Sequence, residues 1–227
     1  MHTFLPRHPG LRPSSAPRPA PVIPAAGSAR LLRLLLPVLV CAAGLLLAHD
    51  EIILSGFRAM PTDLGDPRFL NYLIEHEFRW ATLQPGHHDF WSPAFFYPVR
   101  NVGAFSEVLA GTLPFYMVWR AVAPADTAFQ LWILTLGAVN FAAMDLLLVR
   151  GFRLSRLAAA LGAALFAFGG PRIVQSSHYQ LFPQFWSVIA VYALASRSVA
   201  NPVSATMRTS IRRRPSHSPT MQASIVT

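Results

Sequence analysis

The sequence predicts an all-α fold: a polytopic transmembrane helical protein with a large external loop that carries amphipathic interfacial helices. Three observations lead there. Of 227 residues, 53% are hydrophobic and 13% charged, too little charge to coat a soluble domain of that size. Long apolar runs recur along the chain, several of them near the roughly 20 residues that a helix needs to cross a bilayer core. Charge is also segregated: nine of the ten acids lie between Asp50 and Asp126 with only five of the nineteen arginines, and the rest of the chain is basic. An acidic island between apolar runs in a basic chain fits the positive-inside bias, and no nucleic-acid partner is expected. Cys41 is the only cysteine, which excludes an intrachain disulfide and a cysteine-based zinc cluster.

Residues 1–30 hold seven prolines, four arginines and no acid. They cannot bury enough apolar surface to offset the entropy of ordering, and a disordered basic cytoplasmic arm is expected. A membrane domain is expected over 31–195. Its first span runs over about 31–54, with Arg33 snorkelling to the interface. A cleaved signal peptide competes, but Leu46 occupies a position where cleavage requires a small residue.

The external loop 55–127 follows. In it, DPRFLNYLIEHEFRW opens with Asp66 as N-cap and Pro67 at the first helical position. Helical periodicity puts Arg68, Asn71, Tyr72, Glu75, His76 and Arg79 on one face and the apolar residues on the other, Glu77 excepted. Such a helix is expected to lie along the membrane surface. Five aromatics between Phe90 and Tyr97 suit either a water–lipid belt or a platform for sugar rings and polyprenyl chains.

Residues 108–123 are apolar but short and contain Pro114; a half-embedded segment there keeps 55–127 external and the basic link Arg150–Arg156 cytoplasmic. Spans over about 128–149, 157–170 and 181–195 complete the domain, the third rich in small residues that permit close helix contact. Asp145, near the basic end of its span, is expected to pair with Arg150. Residues 196–227, with further arginines and no acid, read as a disordered cytoplasmic tail attracted to membrane lipid.

The motifs DLGDPRFLNYLIEH, FWSPAFFYP and SEVLAGTLPFY in the loop, followed by VRGFRLSRLAAALGAALFAF and SSHYQLFPQFW, carry a family likeness. Over about Leu31 to Ala195 the chain resembles the N-terminal part of bacterial polytopic GT-C glycosyltransferase-like membrane proteins. The resemblance implies an integral protein of the bacterial inner membrane, both termini cytoplasmic, that transfers a sugar from a polyprenyl-phosphate donor at the external face. It also implies an acidic catalytic base or metal partner in the first external loop; the matching position is Asp66, with Asp63 second, and a divalent metal ion is the cofactor such a carboxylate can serve.

The chemistry asks for a carboxylate to take the proton of an acceptor hydroxyl, although helix capping explains Asp66 equally well. Arg68, Arg100 or Arg172 would neutralise the leaving phosphate. Asn71, Glu75, His178 and Gln180 complete the expected substrate-binding set, with a solvated helix face as the competing explanation for Asn71 and Glu75. His87, His88 and Asp89 diverge too much along a turn to share a metal. Proteins of this family continue through further spans, whereas the apolar character here stops after Ala195. A truncated relative is therefore the alternative expectation: a non-catalytic integral membrane protein, a remnant or a subunit assembling with other membrane subunits.

Overall fold

The computed structural model describes residues 26–60, 65–175 and 177–200. Asp63 and most of the expected arm and tail lie outside them. Among the described residues the chain is helical, with no strand.

The first apolar run forms two helices, α1 (Ala26–Ala48) and α2 (Asp50–Leu54), and not the single helix expected over 31–54. The chain turns at His49 (φ −137°, ψ 37°), whose buried ring sits 6.2 Å from that of Phe182. Asp50 and Glu51 then open α2, at the helix end where the backbone dipole favours carboxylates. Within the 23 residues of α1, Arg33–Ala48 forms a continuous apolar helical stretch.

The loop region contributes α3 (Asp66–Ala81) and α4 (Leu113–Arg120). Next come α5 (Ala125–Leu146), extended by a π-helical turn over Leu147–Gly151, and α6 (Arg156–Phe168) with the short α7 (Gly170–Val174). Among the described residues two stretches are long and apolar enough, by length and composition, to cross a membrane: Ala125–Gly151, 27 residues of mean hydropathy 1.8, and Arg156–Val174, 19 residues of mean hydropathy 1.6. They coincide with the second and third expected spans. The last apolar run starts later than 181, because a 3-10 turn (Tyr179–Leu181) and Pro183 precede α8 (Phe185–Ala200). The segment expected to be half-embedded contains only the eight-residue α4, packed on α3 and α5.

The long helix α5 is the axis of the fold, with α1, α4, α6 and α8 packed against it. Two cores flank it. One joins Leu70 and Ile74 of α3, Tyr116 of α4 and Phe129, Trp132 and Leu136 of α5 to Tyr179 and Phe185; aromatics of this size dominate burial wherever they are enclosed. The other is built on small residues: Ala160, Ala163 and Ala167 of α6 meet Phe141, while Cys41 and Phe168 pack at the edge. A Cβ at Gly44 would overlap the Phe168 ring, so glycine is what allows α1 its distance from α6. Within α5, Asn140 is buried but satisfied: its Nδ2 donates to the Phe182 carbonyl (2.6 Å) and its Oδ1 accepts the Phe185 N–H (2.8 Å). That clamp sets where α8 begins.

The helix α3 does not lie with one face in water. Leu70, Leu73 and Ile74 are buried with Glu77 among them, and so are Asn71 and His76 from the other side. The loop after α3 folds back over its polar face. His76 Nε2 lies 3.1 Å from the Phe90 carbonyl and Tyr72 Oη accepts the Ala94 N–H (2.7 Å), while on the apolar side Glu77 Oε1 accepts the Leu109 N–H (2.7 Å). Amphipathic periodicity identifies the helix correctly but cannot tell a water-facing polar stripe from one that receives backbone donors of a returning loop.

Candidate functional site

The candidate site is built on the first three turns of α3. Gly65 is the N-cap and makes no side-chain cap hydrogen bond, so Asp66 is the first helical residue and not the cap expected of it. Its carboxylate points elsewhere: Oδ2 lies 2.7 Å from Nδ1 of His178, which precedes the 3-10 turn leading to α8. With Nδ1–H donating to the carboxylate, Nε2 of His178 is left as the ring's proton acceptor. The two side chains are 49% and 48% exposed, so a ligand can reach the pair. Two residues proposed separately from the sequence are thus in contact.

Arg68, Asn71 and Glu75 follow on α3 and line a cleft of ≈ 440 Å³ with Met60, Tyr72 and Asp126. Arg68 is exposed. Asn71 Nδ2 donates to Asp126 Oδ1 (2.8 Å), while Asn71 Oδ1 is buried with no hydrogen-bond partner.

Glu75 is far from a solvated face. Oε2 accepts from Tyr116 Oη (2.7 Å) and Arg120 Nε (3.0 Å), and Oε1 from Arg79 Nε (2.8 Å) and Arg120 Nη2 (3.3 Å). Burial pushes this carboxyl up, but the hydrogen bonds of Arg120, Tyr116 and Arg79 outweigh it and hold the group below the usual range. Glu75 is committed to joining α3 to α4, which leaves it little capacity for a substrate hydroxyl.

Gln180 sits in the 3-10 turn beside His178, with its Oε1 buried and lacking a hydrogen-bond partner. Arg100 is exposed on the loop; its charge is a minor contributor to lowering Asp89, after the Ser92 and Trp91 hydrogen bonds, and it is not part of the cleft. Arg172 is buried and occupied: it donates to the carbonyls of Phe166 (3.3 Å) and Leu181 (3.4 Å) and to Gln184 Oε1. It cannot serve as a phosphate ligand without giving up those partners. Asp145 pairs with Arg156 (2.9 Å) and not with Arg150, because the π-helical turn carries Arg150 outward and α6 brings Arg156 back.

Of the turn histidines, His87 Nδ1 lies 2.8 Å from His76 Nδ1. Burial, with the charges of His76 and Arg79, holds His87 below its ordinary value. Among the described residues no three His, Cys, Asp or Glu side chains are grouped to hold a metal ion.

Sequence reasoning missed Asp126, Tyr116, Arg120 and the buried role of Glu77. Asp126, Tyr116 and Arg120 partner residues of α3 from distant segments, and Glu77 is partnered by distant Leu109; only the Pro124-Ala125-Asp126 helix start was a visible signal. No family model, curated protein or solved structure matches the chain.

Proposed function

We propose that the chain is an integral membrane protein of the GT-C-like kind that transfers a sugar from a polyprenyl-phosphate donor at the external face of a bacterial inner membrane. The membrane domain is 31–195, between a cytoplasmic arm (1–30) and a cytoplasmic tail (196–227). Support for membrane burial comes from the apolar side chains turned outward on α1, α6 and α8, among them Leu47, Leu165 and Leu194, which lipid covers at no cost. Support for orientation comes from Arg33, Arg150, Arg153 and Arg156: the helix order puts them at one end of the bundle, away from acid-rich α3.

The observation that carries the catalytic reading is the exposed Asp66–His178 pair. It shifts the proposed base from the carboxylate itself to the imidazole it orients. His178 Nε2 takes the proton of the acceptor hydroxyl as that oxygen bonds to the anomeric carbon; the bond to the polyprenyl phosphate breaks, and the phosphate leaves with the electron pair. Arg68, exposed two residues from Asp66, is suited to pairing with that phosphate. Asn71, which lines the cleft with Arg68, and Gln180, in the turn beside His178, are placed to meet sugar hydroxyls.

The test is transfer by the full chain in liposomes supplied with polyprenyl-phosphate sugars. Asp66→Asn and His178→Gln are expected to lower the rate by roughly 10²-fold or more. Leu83→Cys in a Cys41→Ala background, at an 84% exposed loop position, is expected to react with impermeant thiol reagents in intact cells. Cytosolic protection of that position sinks the orientation and the donor together.

A second reading, a non-catalytic subunit of a larger membrane assembly, is favoured by the inward commitment of Glu75 and Arg172 and by the absence of Asp66 from the residues lining the polar cleft. Equal activity, or none, in the wild type and both variants selects it.

A further inference from the structure

We propose that the cleft between α1 and α5 binds one anionic phospholipid of the leaflet at the Arg150 end, its acyl chain in the cleft and its phosphate on Arg150, Arg33 and Arg156. The inference rests on the membrane reading above but not on the catalytic one. The cleft has a volume of ≈ 570 Å³ and an apolar wall made by Pro37, Cys41 and Leu45 of α1 and Ala138, Phe141 and Ala142 of α5.

Its two ends differ. At one, Leu45 closes on α5, where a Cβ on Gly137 would stand 3.1 Å from Leu45 Cδ2. At the other lie Asp145, Arg150 and Arg156. Arg156 neutralises Asp145 at 2.9 Å, and Asp145 is the only acid after Asp126. Arg150 is exposed, and exposed Arg33 lies one helical turn before Pro37, on the same face of α1. The charged end is therefore net positive.

Length selects the occupant. From Ala138 to Val149 the wall rises about 16 Å along α5, close to half of a hydrocarbon core of about 30 Å. That is the depth of one leaflet, blind at the bilayer middle and cationic at the surface. A helix from a second subunit would require a groove of full height. A lipid tail needs half, and a phosphate at the cationic end completes the match.

The experiment uses the full chain purified in detergent and titrated with dioleoyl phosphatidylglycerol or dioleoyl phosphatidylcholine, with bound lipid counted by native mass spectrometry. Phosphatidylglycerol is expected to be retained in preference, one per chain. Arg150→Gln should weaken its retention roughly fivefold, and Ala142→Phe, which fills the cleft from an exposed position, should abolish it. If Ala142→Phe fails to fold by circular dichroism, Arg150→Gln alone decides.

Equal retention of the two lipids, or a phosphatidylglycerol preference that survives the variants, overturns the proposal. So does an oligomer that Ala142→Phe dissociates, which would make a second copy the occupant. Release of the chain from membranes by alkaline carbonate fails the membrane reading itself, whereas a retained chain with no lipid preference fails this site alone.

Discussion

Glu77 Oε1 accepts the backbone N–H of Leu109 at 2.7 Å inside the protein, and its other oxygen is buried with no hydrogen-bond partner. The residue that breaks the amphipathic pattern of α3 is thus the pin that holds the far end of the loop. Burial pushes its carboxyl up to about 7, the Leu109 hydrogen bond opposing only in part.

A pH dependence follows. The folded chain keeps the Glu77 proton to higher pH than the unfolded chain does, so between about 4.5 and 7 the folded state binds more protons. Stability from this group is complete below about 4.5, declines as pH rises and is fully lost above 7, a loss of at most about 3 kcal/mol. Glu77→Gln keeps an acceptor for Leu109 without the charge. Thermal unfolding in detergent should show the variant more stable than wild type at pH 8 and similar to it at pH 5; a constant difference across that range would refute the assignment.

Glu75 should behave as a structural hub. Glu75→Ala strands the partly buried guanidinium of Arg120 and the Tyr116 hydroxyl and is expected to cost about 3 kcal/mol. Tyr116→Phe removes one hydrogen bond and leaves the ion pairs, for about 1 kcal/mol. Denaturant unfolding of both variants checks the order; an equal cost for the two would remove the arginines from the account.

Asn140→Ala deprives the Phe182 carbonyl and the Phe185 N–H of their buried partner, at about 2–4 kcal/mol. The effect should be local to the start of α8. Hydrogen exchange at the Phe185 amide should accelerate while amides in α3 keep their protection.

Gly44→Ala should cost about 1–3 kcal/mol by pressing a methyl into the Phe168 ring. Phe168→Leu alone should be destabilising through lost contact. The double variant should recover part of the sum, and strict additivity in the cycle would mean that the two positions do not touch.

Much of this architecture is legible in the amino-acid sequence. Apolar length found α5, because a run of over twenty mostly apolar residues leaves few alternatives to a long helix, while the shorter run over 157–170 found α6 through its small apolar residues. Proline and periodicity located α3 to within one residue of its start. Legibility ended where a residue's role depends on a partner far along the chain. Asp66 read as a cap because its neighbours in sequence were visible and His178 was not. Asp145 was assigned to Arg150, five positions away, since nothing local announces a π-helical turn that rotates one arginine out and a following helix that returns another. The bend at His49 was equally hidden: a histidine and two acids within an apolar run are compatible with a snorkelling helix end, and the Phe182 ring that receives His49 lies in a different segment.

The contacts of α3 also differ in when a growing chain can make them. Those with Leu109, Tyr116, Arg120 and Asp126 are available once translation has passed Asp126, so the loop can be sealed early. His178 emerges only after α5 and α6 have been synthesised and turned back on each other. Its junction with Asp66 is accordingly a late event: a nascent chain halted between those helices can hold a closed loop that still lacks its imidazole.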